Sequence, residues 1–189
     1  SFLPNYGEFY EMRQFTQGPR KARTVLYDGR EVPFGPQLLF AARQMEELVV
    51  SAEVCEDVWC PVPPSIEAAR EGAVLIANCS ASDETIGKAS YRRSLIEGQS
   101  ARLICGYIYA NAGEGESTTD LVFGGHNVIA ENGTVLEESS RFENGVIYTE
   151  IDVRRLVSER RKNTTFRMKE EQTLLRIPFD ITIEKTLLT

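Results

Sequence analysis

Histidine is scarce in this chain of 189 residues, and its cysteines stand apart from one another. His126 is the only histidine, and no Cys-x-x-Cys pair occurs among the four cysteines, Cys55, Cys60, Cys79 and Cys105. A structural zinc site needs closely spaced cysteine and histidine ligands, so the sequence predicts no metal site of that kind. Because a chain of this length can bury a core without disulfides, we interpret the thiols as reduced and expect a cytoplasmic protein.

Long apolar runs and an excess of basic charge are lacking as well. No stretch comes near the ~20 consecutive apolar residues of a membrane-spanning helix, and no secretory signal is visible from Ser1. The 21 lysines and arginines are outnumbered by 28 acidic residues, which gives a net charge of -7. This charge disfavours nucleic acid and anionic membranes as partners. With 42% hydrophobic and 26% charged residues, the composition is that of an ordinary globular domain.

Segments typical of strands alternate with segments typical of helices along the chain. The patterns predict strands at 24–27, 31–32, 38–41, 48–54, 73–77, 107–110, 128–130, 134–136 and 146–151. They predict helices at 66–71 with Ser65 as N-cap, at 86–105, and from Asp152 to about Arg161. Residues 163–189 show no clear periodicity, which favours a linker or tail. The alternation indicates an α/β domain with a mixed sheet, and the apolar run 73–77 indicates a strand buried on both faces.

Cys55 is the most informative residue, because it follows a predicted strand and precedes the proline-rich turn 61–64. A thiol at the end of a strand, close to the start of a helix, can be both exposed and held in place, as a nucleophile must be. The neighbouring Glu56 and Asp57 should raise the pKa of this thiol, since like charge disfavours the thiolate. Local sequence leaves two readings open: a nucleophile served by a base or cation from elsewhere, or a buried structural thiol. The other three cysteines are interpreted as small core residues.

Six motifs occur in an order that is highly specific. They are SFLPNYGEFYE at 1–11, CEDVW at 55–59, NCSAS at 78–82, YRR at 91–93, QSAR at 99–102 and GEGESTTD at 113–120. From Ser1 to about Phe142, with a weaker match at 175–180, the chain resembles the glutaminase domain of glutamine-dependent NAD synthetases, in the nitrilase (carbon–nitrogen hydrolase) superfamily. The resemblance implies a four-layer αββα sandwich with mixed sheets, incomplete at its N-terminal side. It divides the chain into a partial glutaminase domain, 1–162, and a linker or tail, 163–189, toward a synthetase domain.

The superfamily uses a Glu–Lys–Cys triad, and Cys55 matches its nucleophile. By this resemblance the thiolate attacks the side-chain amide carbon of glutamine, ammonia leaves, and water hydrolyses the glutamyl thioester. The matching lysine would lie immediately before Ser1 and the general-base glutamate farther upstream, so the chain alone is expected to be inactive. An accessory glutamate that orients the lysine would be Glu8 or Glu11, and we prefer Glu8.

The same resemblance implies a pocket for glutamine. Tyr6 and Trp59 would form its walls, Ser82 and Lys88 would bind the charged amino-acid end of the substrate, and Glu56 would lie beside them. Without the resemblance, the two aromatic residues are interpreted as core side chains and the charged residues as solvated surface. The loop at 113–120 lacks the lysine of a phosphate-binding loop, so we interpret it as a loop on the active-site side. His126 is interpreted as structural.

The partners implied by the resemblance are glutamine, a synthetase domain of the same parent chain, and further copies in a homo-oligomer. No cofactor is implied for this part, whereas ATP and magnesium are implied for the synthetase domain, which amidates deamido-NAD. Two alternatives stay open: a free-standing amidase of the superfamily, and a non-catalytic structural or interaction fragment. The second alternative predicts exposed sheet edges and self-association, because an incomplete sandwich leaves unpaired backbone and apolar faces.

Overall fold

The computed structural model describes residues 1–36, 38–116 and 120–184, and a seven-stranded sheet forms its centre. In spatial order the strands are β8 (Thr134–Glu138), β7 (Val128–Glu131), β6 (Gly106–Asn111), β5 (Leu75–Ser80), β4 (Val49–Val54), β3 (Leu38–Ala42) and β9 (Leu175–Phe179). The central strands β4, β5 and β6 run parallel, as does the pair β3–β9, and the other neighbours are antiparallel. A separate hairpin pairs β1 (Arg23–Tyr27) with β2 (Arg30–Phe34). The predicted α/β domain with a mixed sheet is confirmed.

The described part of the chain contains four α-helices, α1 (Glu11–Gln14), α2 (Pro64–Arg70), α3 (Lys88–Leu103) and α4 (Val153–Lys162). α4 is capped as predicted, because the Asp152 carboxylate accepts the Arg155 backbone N–H at 2.9 Å. α2 differs from the prediction, since it begins at Pro64, whose missing N–H is harmless at a first helical position. Ser65 is therefore a buried residue within α2 and not its N-cap, and its N–H donates to the Glu53 carboxylate. None of the described helices is long and apolar enough to pass through a bilayer.

Helices cover one face of the central strands and leave the other face open. Across β4, β5 and β6, side chains at the same register form rows that point alternately to the two faces of the sheet. One such row, Glu53, Asn78 and Tyr109, is buried. The second row points to the opposite face, is exposed, and consists of Val54, Cys79 and Ala110. Right-handed crossovers from β4 to β5 and from β5 to β6 put α2 and α3 on the same side. The run 73–77, predicted to be buried on both faces, has no exposed residue, and the open face begins beyond it, at Cys79 near the carboxyl end of β5.

Two stretches near the end of the chain also differ from the prediction. The strand expected at 146–151 does not form among the described residues, and Val146 and Tyr148 are 72% and 80% exposed. By contrast, β9 forms inside 163–189, where the sequence shows no periodicity, and pairs in parallel with β3 at the sheet edge. Pro178 is compatible with an edge strand, which has one unpaired row of N–H groups. Residues 185–189 lie outside the described residues.

Candidate active site

Cys55 lies at the carboxyl end of β4, where the strand passes into a 3₁₀ turn over Cys55–Val58. Its φ of +47° is in the left-handed region, which is strained for a residue with a side chain. Asp57 holds the turn, since its carboxylate accepts the N–H of Val54 at 2.8 Å and that of Phe2 at 2.7 Å. The turn thus presents a half-buried thiol beyond the ends of parallel strands, the region where open α/β sheets bind ligands.

The surroundings of Cys55 raise the pKa of its thiol above the ordinary value. Burial is the largest cause and the charge of Glu56 adds to it, whereas hydrogen bonds from the Ala81 backbone and the Ser80 side chain act in the opposite direction. The predicted direction of the pKa shift is confirmed, but its main cause is burial and not like charge. The thiol therefore stays protonated near neutral pH unless a base or a cation reaches it.

The N-terminal segment contacts this turn through Tyr6 as well. The Tyr6 hydroxyl donates to Glu56 Oε2 at 2.8 Å. Partial burial, this hydrogen bond and the negative charges of Glu56, Cys55 and Asp83 raise the pKa of Tyr6 to about 12. The Tyr6 side chain is nevertheless 58% exposed, so it is a residue at the rim of an open site and not a core aromatic.

Lys88, the first residue of α3, contacts an acidic partner and two aromatic rings. Its ammonium donates to the Asp83 carboxylate and lies 5.7 Å from the Trp59 ring centroid and 5.8 Å from that of Phe9. Trp59 is half-buried and packs against Tyr91, with ring centroids 5.4 Å apart. A cation near an aromatic face gains electrostatic stabilisation. Lys88 is therefore more than a solvated surface lysine, and its ammonium is positioned to bind an anionic group.

Ser82 lies buried in the loop between β5 and α3. Asn111 fixes its backbone, because the Asn111 side chain accepts the Ser82 N–H at 2.8 Å and donates to the Ser82 carbonyl at 3.0 Å. The Ser82 hydroxyl accepts a hydrogen bond from Arg92 at 3.3 Å. The sequence analysis missed Asn111, Asp83 and Arg92 as site residues. A signal existed for two of them, since Arg92 lies in the YRR motif and Asn111 directly follows the strand predicted at 107–110.

The remaining predicted residues lie in different surroundings. Glu8 is exposed, whereas one carboxylate oxygen of Glu11 is buried without a hydrogen-bond partner among the described residues. His126 is buried, as the structural interpretation requires, and it bonds to Arg92 and Glu138. The prediction for the loop 113–120 falls partly on residues 117–119, which lie outside the described residues.

The other three thiols have contrasting environments. Cys105 is a buried core residue, and burial raises its pKa to about 12. Cys79 is exposed on the open face of the sheet, so its interpretation as a core residue is wrong. Cys60 is half-buried and donates to the Asp57 carbonyl at 3.0 Å. Within residues 1–36, 38–116 and 120–184, no three cysteine, histidine or acidic side chains are grouped as ligands of a metal ion would be.

Fold and site together agree with one family of α/β hydrolytic domains. The carbon-nitrogen hydrolase family matches residues 5–161, and the chain belongs to this family. A relative from Mycobacterium tuberculosis, a glutamine-dependent NAD(+) synthetase, is 48% identical over 168 residues, which are 88% of this chain and 25% of the relative. The human glutamine-dependent NAD(+) synthetase is 29% identical over 150 residues, 74% of this chain and 20% of the relative. The chain thus spans about a quarter of the length of the mycobacterial relative.

Solved structures agree with this assignment. A glutamine-dependent NAD(+) synthetase from Cytophaga hutchinsonii superimposes with a TM-score of 0.62 at 33% identity, over 74% of this chain and 22% of that one. Nit3 from Saccharomyces cerevisiae, a nitrilase-superfamily member, gives a TM-score of 0.59 at 16% identity, over 86% of this chain and 52% of that one. At 16% identity the likeness shows the fold alone. The predicted resemblance to NAD synthetases is confirmed, and the fold is that of nitrilase-superfamily chains.

Proposed function

We propose that this chain is the carboxyl-terminal part of a glutaminase domain, in which Cys55 hydrolyses the side-chain amide of glutamine. The observation that carries the proposal is the set of charged groups near the turn that begins at Cys55. Lys88 is the cation and bonds to Asp83, and Tyr6 has both Cys55 and the anions Glu56 and Asp83 in its surroundings. Free glutamine bears one carboxylate and one ammonium at its amino-acid end, so a site with both signs of charge suits it. The 48% identity to an NAD(+) synthetase supports the same substrate.

In this proposal each residue has one role. The Cys55 thiolate attacks the amide carbon, the C–N bond breaks as the nitrogen takes a proton and leaves as ammonia, and water hydrolyses the thioester to glutamate. Lys88 and the Ser82 hydroxyl bind the α-carboxylate, and Glu56 attracts the α-ammonium. Tyr6 and Trp59 form the walls of the pocket. In the parent protein, the ammonia serves an ATP- and magnesium-dependent synthetase domain that amidates deamido-NAD.

The raised pKa of Cys55 means that the reaction needs a further base and a further cation. The resemblance expects a catalytic lysine immediately before Ser1. The Ser1 ammonium lies 4.0 Å from Asp57 Oδ1, and Asp57 belongs to the 3₁₀ turn that begins at Cys55. The start of the chain therefore lies against the turn that carries the thiol. We accordingly propose that, in the parent protein, the missing cation reaches the thiol from this side of the turn.

The open sheet face supports the four-layer architecture. Its cross-strand row of Val54, Cys79 and Ala110 is apolar and exposed, which is unusual for a stable surface. In the αββα arrangement a second sheet covers this face, so we propose that upstream residues supply it and that the assembled domain forms a homo-oligomer. The same open face favours one competing function, a non-catalytic interaction fragment, which would self-associate through it.

For the accessory glutamate we retain Glu8, with Glu11 as the alternative because one of its oxygens is buried and unpaired among the described residues. Replacing each by glutamine in the protein extended upstream decides between them. We expect Glu8→Gln to lower the rate of glutamine hydrolysis more than Glu11→Gln. The reverse order would transfer the role to Glu11.

Alkylation by a chloroketone derived from glutamine, mapped by mass spectrometry, tests the proposed function. We expect labelling of Cys55 that excess glutamine prevents, labelling of exposed Cys79 that glutamine leaves unchanged, and no labelling of buried Cys105. Cys55→Ser is the matched control, since it removes only the protected label. Repeating the assay on the chain extended upstream distinguishes an unassembled pocket from a wrong assignment. If glutamine protects Cys55 in neither protein, the glutaminase proposal fails, and the alternative of a non-catalytic structural or interaction fragment takes its place.

A further inference from the structure

The guanidinium of Arg92 is fully buried on α3, behind the loop that carries Ser82 and leads to Lys88. Burying a charge is costly unless hydrogen bonds and counter-charges compensate it. Arg92 has both kinds of compensation, although its Nε atom has no hydrogen-bond partner among the described residues, and three of its four partners lie on this one loop. Such a placement is uncommon for a residue that only fills a core.

Arg92 holds three consecutive residues of the loop. Its NH2 group donates to the Ser82 hydroxyl at 3.3 Å and to the Asp83 carbonyl at 3.1 Å, and its NH1 group donates to the Glu84 carboxylate at 3.0 Å. The planar guanidinium fixes the directions of these bonds relative to one another, which a flexible ammonium cannot do. The loop is therefore held in one conformation by one side chain.

His126 orients Arg92 from the far side. The NH1 group of Arg92 can only donate, so the His126 Nδ1 atom at 2.9 Å accepts. The imidazole proton then lies on Nε2, which is 2.6 Å from a Glu138 oxygen and donates to it. The hydrogen bonds from His126 and Arg93 outweigh burial and lower the pKa of Glu138, which keeps its carboxylate ionised. The sequence Glu138, His126, Arg92, Ser82 is thus a continuous hydrogen-bonded row.

We propose that Arg92 is a positioning residue for the amino-acid end of the glutamine pocket, an inference that rests on the proposed glutaminase function. Because the Ser82 hydroxyl accepts from Arg92, its own proton is available to another acceptor. The Tyr109 hydroxyl lies within reach of it in the free protein, and the α-carboxylate of glutamine is a stronger acceptor that could replace it. Because the Asp83 carbonyl is fixed as well, the Asp83 carboxylate keeps its place against the Lys88 ammonium. Arg92 touches no substrate atom and acts through these two residues.

The test compares Arg92→Lys with Arg102→Lys, an exposed position on the same helix, in the protein that shows glutamine-protected labelling. In Arg92→Lys the glutamine concentration for half-protection of Cys55 should rise by about tenfold, the effect expected when charge-assisted hydrogen bonds lose their geometry. Alkylation of Cys55 by iodoacetamide, which has no amino-acid end, should change by no more than about twofold, since the thiol itself is untouched. Arg102→Lys should leave both quantities unchanged.

Hydrogen exchange gives a readout that does not depend on glutamine. The backbone amides of residues 82–84 should exchange faster in Arg92→Lys than in the parent protein, because the loop has lost its fixed donor. Unchanged exchange and unchanged half-protection would overturn the proposal. An equal fall in labelling by both reagents, together with a lower melting temperature, would show a purely structural role and overturn it too.

His126→Phe provides a second variant in case Arg92→Lys does not fold. It keeps a ring of similar volume but removes the acceptor for Arg92. The glutamine concentration that half-protects Cys55 should therefore rise by about threefold. No rise would contradict the proposed role of the hydrogen-bonded row. If glutamine fails to protect the parent protein, the glutaminase function is wrong and the pocket role of Arg92 falls with it. Faster exchange at 82–84 in the same variants would still show that Arg92 holds the loop.

Discussion

The two ends of the parallel strands β4, β5 and β6 use charged side chains in opposite ways. At the carboxyl ends they bond to other side chains at an open site, as Lys88 does with Asp83 and Glu56 does with the neutral Tyr6 hydroxyl. At the amino ends, Arg160 from α4 is buried and donates to backbone carbonyls of Leu103, Ile104 and Ala69. At the amino ends, charged side chains satisfy backbone groups of the fold. At the carboxyl ends, they pair with other side chains, and a charged ligand can take the place of one partner.

Glu71 belongs to the amino-end group. Its buried carboxylate accepts the backbone N–H groups of Thr173 and Leu174 and pairs with Lys169, so it ties the segment before β9 to the end of α2. Charged groups of this kind stabilise the fold because they bond to buried backbone that would otherwise be unsatisfied. Substitutions at the amino ends should therefore change stability, and substitutions at the carboxyl ends should change reactivity and binding.

Arg160→Met should have the largest effect on stability. It removes the donors of buried carbonyls at the ends of α2 and α3, so the free energy of unfolding should fall by about 3 kcal/mol or more. Urea unfolding followed by circular dichroism measures the change. Arg161→Met is the matched control, because Arg161 is the exposed neighbour on α4. A similar loss in both variants would mean that the bonds of Arg160 add nothing specific.

Glu71→Gln should have the second-largest effect on stability, and this effect should depend on pH. Burial alone would raise the pKa of Glu71, but hydrogen bonds from Thr173, Leu174 and Lys169 lower it from 4.5 to about 2. The ionised group therefore stabilises the fold fully above pH 4.5, and this contribution is lost as the pH falls toward 2. At pH 7 the free energy of unfolding of the variant should be about 2–3 kcal/mol lower than that of the parent protein, and at pH 3 the difference should be smaller. Exposed Glu170→Gln is the control, and an equal deficit of Glu71→Gln at both pH values would contradict the linkage.

The reactivity of Cys55 should rise steeply with pH. Because burial raises the pKa of its thiol above the ordinary value, the iodoacetamide rate should keep rising from pH 7 to pH 8, by up to about tenfold. Timed alkylation with peptide mapping measures this. Cys105, with its pKa of about 12 and full burial, should stay unlabelled throughout. A plateau in the Cys55 rate below pH 8 would show an activated thiolate and would reverse our account of its surroundings.

Tyr6→Phe should have the smallest effect of these variants. It should change the binding of glutamine at the carboxyl ends of the strands and not the stability of the fold. The hydroxyl makes one hydrogen bond, to Glu56, from a half-exposed side chain, so the free energy of unfolding should not change measurably. The glutamine concentration that half-protects Cys55 should rise by about threefold. Tyr27→Phe on the exposed hairpin is the control and should leave protection unaltered. A loss of stability in Tyr6→Phe without a change in protection would place Tyr6 with the structural residues.

Local patterns predicted the elements whose signals lie within a few residues of one another. The strand before Cys55, the Asp152 cap and the two strands expected at 128–130 and 134–136 depend on nearest neighbours, and each is present in the structure. β9 could not be found in this way, since its partner β3 lies far away in the sequence, with Leu175 opposite Leu38. The strand expected at 146–151 failed for the related reason that local β-character forms no strand without a neighbour to pair with.

The sequence by itself determined the family and most of the order of strands and helices, because these reside in motifs and in short-range periodicity. Only the tertiary structure decided which residues support the site. Arg92 meets His126 across 34 positions, and Arg160 meets Ala69 across 91. The two arginines look alike in the sequence, yet one holds a loop beside the thiol and the other holds helix ends. The difference arises because a buried charge takes its role from the groups that folding brings around it.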